Sequence, residues 1–157
     1  MQMHREFILG RVGHITVAVP AERIQTIVRD GAAHALENAG ELTAMMAVMS
    51  GIAVPIFDAR TAVGLAPHTS GQKQEIAFAG DTHNLRIGIA FDEVVGVHIC
   101  EQNELSSTEA VKLSRYPYIS DVCTYNGGTV LLLDIDMVIA TRIPELSIAE
   151  INHQHAV

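Results

Sequence analysis

The chain has 157 residues, 48% of them apolar, with a formal net charge of −8 and a pI near 5.4. That length and apolar fraction suit one compact domain with a buried core, and an acidic balance without any run of Lys or Arg argues against nucleic acid or anionic lipid as the main partner. Four Phe, three Tyr and no Trp leave little for an aromatic pocket or a base-stacking platform, so aliphatic side chains must build the core.

Phe7-Ile-Leu-Gly10 reads as an opening strand, and Gly10 and Gly13 supply a turn before Ile15, Val17 and Val19 return in alternation with Thr16 and Ala18. The pair predicts a hairpin. Pro20 and the polar group after it break the run, and Ile24, Ile27 and Val28 resume it as a short strand. Residues 30–49 read as a loop with a helical turn, because Ala33, Ala35, Leu36, Ala39, Leu42 and Met46 could share a helix face that Gly31 and Gly40 interrupt.

The stretch from Ser50 to Arg60 runs from Gly51 through an unbroken apolar segment into Asp58 and predicts a buried strand, with Pro55 marking an edge or a bulge. Asp58 is placed to cap a short helix over residues 59–63, and Gly64 stands where a left-handed C-cap residue is wanted. Residues 66–75 read as a surface loop. A second hairpin follows, over 76–79 and 85–90. Residues 101–120 are polar and irregular, with a helix-cap pattern at 106–109 and an extended Tyr116-Pro-Tyr118. Asn126-Gly127 predicts a tight turn into the last strong strand, helical turns follow over 137–142 and from Pro144 to Ile151, and the tail frays.

The second hairpin repeats the first. Sliding the sequence by 70 places Gly10 on Gly80, Val17 on Ile87, Val19 on Ile89 and Ile24 on Val94, while Asp58 and Asp134 fall at an offset of 76. The extra residues belong in the loop beyond Glu101, as insertions do.

Little in the chain suggests catalysis. Neither Gly-x-Ser-x-Gly nor Gly-Lys-Ser/Thr occurs. The terminal pair His153-x-His155 lacks an acidic or thiol neighbour to complete a metal site, and Cys100 and Cys123 read as reduced, partly buried thiols. Asp134-x-Asp136 puts two carboxylates on one side of an extended backbone, so a metal-dependent enzyme using Asp134, Asp136 and His98 is the alternative class to weigh against helix capping. The longest apolar runs, 45–49 and 130–133, fall far short of the ~20 residues needed to cross a bilayer, and the first residues show no signal-type segment, which predicts a cytoplasmic location.

Four motifs, Phe7-x-Leu-Gly10, Gly51-x-x-Val-Pro-Ile-x-Asp-x-Arg60, Gly88-x-x-x-Asp-Glu-Val94 and Val130-Leu-Leu-Leu-Asp-Ile-Asp136, in this order and spacing resemble the CheW-like domain of bacterial chemotaxis coupling proteins over nearly the whole chain. The resemblance implies an all-β fold with a few short helices, built as two five-stranded SH3-like barrels sharing an apolar core. Barrel-forming halves are expected at roughly 7–65 and 76–140, with a C-terminal helix near 144–152.

It also implies a non-enzymatic signalling adaptor, without metal or cofactor, that couples chemoreceptors to a CheA-type histidine kinase. Such an adaptor meets the kinase regulatory domain by barrel-end contacts and the cytoplasmic tips of methyl-accepting receptors in the groove between barrels, with no nucleic acid and no membrane insertion. By that resemblance the contact residues are Ser50, Gly51 and Arg60. Two places depart from the family pattern: Val48-Met-Ser-Gly51 stands where Asn-Leu-Arg-Gly is expected, and Ser120-Asp121 where Arg-Gly is common. The lost basic charge points to the alternative of a divergent scaffold in a non-flagellar pathway such as one serving a pilus.

Overall fold

The computed structural model describes residues 4–35, 45–80, 85–101 and 116–140. Alternation and turn residues divide the first half into strands β1 (His4–Val12), β2 (Ile15–Pro20), β3 (Ile24–Ala32), β4 (His34–Ala35), β5 (Met45–Met49) and β6 (Ile52–Asp58). A one-turn helix α1 (Ala59–Ala62) follows, then β7 (Lys73–Gly80), β8 (Leu85–Phe91), β9 (Glu93–Glu101), β10 (Ile119–Tyr125) and β11 (Gly128–Leu133). Residues 135–140 form a second helix, α2.

The strands make two sheets, one in the order β10-β11-β2-β1-β9 and one in the order β3-β7-β8-β6-β5-β4. The all-β architecture is as expected, except that the second sheet gains the two-residue β4 as a sixth strand. Each half lends its first hairpin to the sheet that the other half completes. Hairpin β1–β2 lies between β9 and β11, and hairpin β7–β8 lies between β3 and β6. The internal repeat survives at the level of register: Leu132 pairs in parallel with Ala18, and Ile56 with Gly88. Those are equivalent positions under the two offsets read from the sequence.

Because side chains alternate across a strand, the same strands fill three cores. Phe7, Leu9, Ala18, Cys123, Val130 and Leu132 pack inside the five-stranded sheet. Val54, Ile56, Ile76, Phe78 and Ala90 pack inside the six-stranded one. The other faces, with Ile8, Val17 and Val19 from one sheet and Phe57, Ile87, Ile89 and Phe91 from the other, meet in a shared core that Ile135 and Val138 of α2 help to close. Burial on both faces is why these strands read as continuous apolar runs. Gly10 is required there, since a Cβ on it would lie 2.2 Å from Cδ1 of Phe91.

Three local expectations need correction. Met45–Met49, read as part of a loop with a helical turn, is strand β5, because it pairs with β6 from Met46–Pro55 to Met49–Ile52. Pro55 lies in an interior strand, not at a sheet edge; pairing with β8 begins one residue later, at Ile56, so its missing N–H removes no bond there. Ile119 and Ser120, read as the end of an irregular polar stretch, open strand β10, in which Ile119, Val122 and Cys123 are buried and Ser120, Asp121 and Thr124 exposed. Leu36, Ala39 and Leu42, the 106–109 cap pattern, the helix near 144–152, and His153 and His155 lie outside the described residues.

Candidate functional site

Two strand surfaces leave large aliphatic side chains in solvent. The first is hairpin β5–β6, where Val48 is 72% and Ile52 61% exposed. Val48 lies opposite Ala53 and Met46 opposite Pro55, and residues directly opposite share a face, so the outer side of this hairpin is apolar along its length, while Ile52, opposite Met49, is exposed near the tip on the other face. At its tip, Ser50 (φ 51°) and Gly51 (φ 78°) both take the left-handed conformation, which is the two-residue turn that suits the twist of a hairpin. Asn126 (φ 49°) and Gly127 (φ 75°) build the equivalent turn between β10 and β11.

The second surface is β9, the edge strand of the five-stranded sheet. Val95, Val97 and Ile99 stand out at 40%, 65% and 55% exposure. A register shift between Leu9 and Gly10 of β1 leaves Val95 without an opposite residue, while Val97 faces Ile8 and Ile99 faces Glu6. Exposed aliphatic residues in a row, bordered by charges, are the signature of an interaction surface rather than of a chance surface residue.

Between the sheets lies a knot of charge centred on Asp92, at the junction of β8 and β9. Arg60 holds it side-on, Nε at 2.7 Å from Oδ1 and Nη2 at 2.7 Å from Oδ2, while the Gly13 N–H donates to Oδ2 at 2.8 Å. Burial pushes the Asp92 carboxyl up, but the hydrogen bonds from Arg60 and Gly13, with the charges of Arg60 and His68, outweigh it and hold the group at about 2. The same Asp92 bond raises the Arg60 guanidinium above its ordinary value, against a smaller opposing effect of burial. Asp58 accepts from the Arg60 N–H at 3.0 Å, which is the predicted helix cap, and Gly64 takes the left-handed conformation two residues past α1 (φ 81°).

The three residues expected to contact a partner therefore separate. Ser50 and Gly51 are exposed at one end of β6; Arg60 stands past the other end, half-buried and engaged by Asp92. Seven strand residues lie between, roughly 23 Å at the usual rise per residue. Sequence reasoning missed His68. It sits within what was read as a surface loop, yet its side chain is only 2% exposed and meets both Asp58 and Asp92. The β9 row also went unread, although the alternation Val95, Val97, Ile99 was visible.

The metal alternative does not assemble. Asp134 caps α2, accepting from the Met137 N–H at 3.1 Å, and Asp136 pairs with Arg23 at 2.7 Å. His98 lies on β9 with its ring 4.6 Å from that of Tyr125. Among the described residues no three His, Cys, Asp or Glu converge as a metal site would require. A pocket of about 300 Å³ beside Asp134 is lined by Arg5, Glu22, Arg23, Asp121 and Asp136, of which Arg23 is tied to Asp136 and Arg5 to Glu22. No helix among the described residues is long and apolar enough to cross a membrane.

The family model of the CheW-like domain matches residues 6–142. A search of curated proteins finds no match. Among solved structures, the scaffolding protein TtCheW from Thermoanaerobacter tengcongensis is similar in fold, with a TM-score of 0.62 at 12% identity over 83% of this chain and 89% of that one.

Proposed function

The chain belongs to the CheW-like domain family, and on that premise we propose that it is a non-enzymatic adaptor joining the cytoplasmic tips of methyl-accepting chemoreceptors to the regulatory domain of a CheA-type histidine kinase. The observation that carries this reading is the pair of exposed aliphatic surfaces, on β5–β6 and on β9. A scaffold needs two such surfaces to hold two partners at once, and exposed apolar patches with polar borders suit reversible protein contacts. Ser50 and Gly51 belong to the first surface; Arg60 acts from behind it, by fixing the junction at Asp92. On this reading the protein works in the cytoplasm, against receptor arrays.

The test is capture of the purified kinase regulatory domain and of a receptor-tip fragment from the source organism, each at about 50 µM, a concentration at which transient interfaces are readily seen. Retention of both supports the adaptor; retention of neither removes it. Ser50, where the family pattern carries arginine, and Ser120-Asp121, where it carries Arg-Gly, favour a second reading: a divergent scaffold in another pathway, such as one serving a pilus. Receptor capture without any change in kinase activity would identify that case.

A further inference from the structure

His68 stands between two carboxylates. Its Nδ1 is 2.8 Å from Oδ2 of Asp58, its Nε2 is 2.8 Å from Oδ1 of Asp92, and its own backbone N–H donates to Asp58 Oδ2 at 2.6 Å. A carboxylate only accepts, and a neutral imidazole has one N–H, so a neutral ring must turn a lone pair toward one of the two oxygens. Only the doubly protonated ring donates at both ends. The charges agree: Asp58 and Asp92 against Arg60 leave one negative charge uncompensated in a half-buried knot, and an imidazolium supplies the missing positive charge.

We propose that His68 is a proton-operated clasp, which in its doubly protonated form pins the segment between α1 and β7 across Asp58 and Asp92, and which releases that segment when the ring gives up a proton. The segment runs between Gly64 (φ 81°) and Gly71 (φ 79°), both left-handed, and its further ties include the Leu65 N–H donating to Arg60 O at 2.9 Å with Leu65 packed on the shared core, the Gly71 N–H donating to Ala33 O at 2.8 Å and Arg60 Nη1 donating to Ala66 O at 3.4 Å. Asp58 ends β6 of the six-stranded sheet, while Asp92 begins the turn into β9 of the five-stranded one and holds the β1–β2 turn through Gly13. Opening the clasp therefore loosens a point where both sheets meet.

The charged and titratable groups around the ring are Asp58 from β6, Arg60 from α1 and Asp92 from the β8–β9 junction. Beyond them the exposed pair Arg11–Glu93 flanks Asp92, Tyr116 flanks Gly64 and His34 flanks Gly71. The clasp contribution is present with the ring doubly protonated and is lost as pH rises.

The experiment is a thermal-unfolding series of the full chain and of His68→Gln between pH 5.5 and 8.5. The wild type is expected to exceed the variant most at the acid end, with the gap closing by roughly 3–8 °C as pH rises, the scale of one charge-assisted hydrogen bond in a domain of this size. A gap that stays constant with pH overturns the proposal. Should His68→Gln fail to fold, nitrogen NMR of the ring in the wild type, read beside amide exchange, decides the matter. Protection of the His68 and Gly71 amides falling together with loss of the ring proton supports the clasp; unchanged protection as the ring titrates overturns it.

Discussion

Arg60 grips Asp92 edge to edge, two N–H donors on two carboxylate oxygens at 2.7 Å each, across 32 residues of chain. The guanidinium plane matches the carboxylate, and the pair is only about a quarter exposed, so it differs from a surface ion pair of negligible worth. Asp92→Asn keeps the shape but leaves Arg60 facing an amide and removes one acceptor. We expect a loss of about 2 kcal/mol in urea unfolding. Arg60→Lys should lose most of the same amount, because a point charge cannot make both bonds. A change below about 0.5 kcal/mol, the usual scatter for surface sites, would show the pair to be ornamental.

The same carboxylate sets the behaviour in acid. Asp92 is held at about 2 against an ordinary 3.8, so the unfolded chain takes up the proton first, and stability drains as pH falls from about 4 toward 2. Above pH 4 the contribution is fully present. Unfolding free energy measured down this range should fall more steeply for the wild type than for Asp92→Asn, and parallel curves would contradict the assignment.

Two glycines of neighbouring strands make a paired test of packing. Gly10→Ala drives a methyl into the buried Phe91 ring, with 2.2 Å available to Cδ1, and should cost about 1–3 kcal/mol. Gly96→Ala meets nothing within 4 Å and should be neutral or slightly stabilising, since it narrows the unfolded ensemble. Equal effects from the two would mean that β1 and β8 approach less closely than described.

At the tip of β5–β6, Ser50 bears a left-handed backbone that costs an ordinary residue roughly 1–2 kcal/mol, and its counterpart in the second hairpin is Asn126, the residue type that tolerates that conformation best. Ser50→Asn is expected to raise stability by about 0.5–1 kcal/mol. An unchanged denaturation midpoint would place the strain elsewhere.

On the adaptor reading, Val97→Asp and Val48→Asp each add a charge to one exposed surface without entering a core. Folding stability should stay within about 0.5 kcal/mol of wild type, while each variant loses at least tenfold in affinity for one partner and retains the other. If both variants bind both partners as the wild type does, neither surface is an interface.

How much of this was legible in the sequence depended on how local its cause was. The cap at Asp58, the left-handed Gly64 and the Asn126-Gly127 turn are settled by neighbours a few residues away, and each was read in place. The repeat was legible because both copies keep glycine and aliphatic residues at matching positions. What could not be read were contacts closed by the fold. His68 meets Asp92 from 24 positions away, and nothing adjacent to either marks the meeting. Arg60, expected as a partner contact, meets Asp92 across 32 positions for the same reason. Among the strands, β5 was hidden by alanine and methionine, which fit a helix face as well as a pleat.

The exchange of hairpins between the halves has a consequence for how the chain comes off the ribosome. When the first 65 residues have emerged, β1–β2 is a finished hairpin whose two outer edges still await β9 and β11, and β6 awaits β8. Unpaired apolar edges invite association with other chains. Neither half closes a sheet by itself, and pairing strands this far apart in sequence is intrinsically slow. A nick between α1 and β7 should accordingly yield fragments that are insoluble apart and that rebuild the native molecule only when mixed.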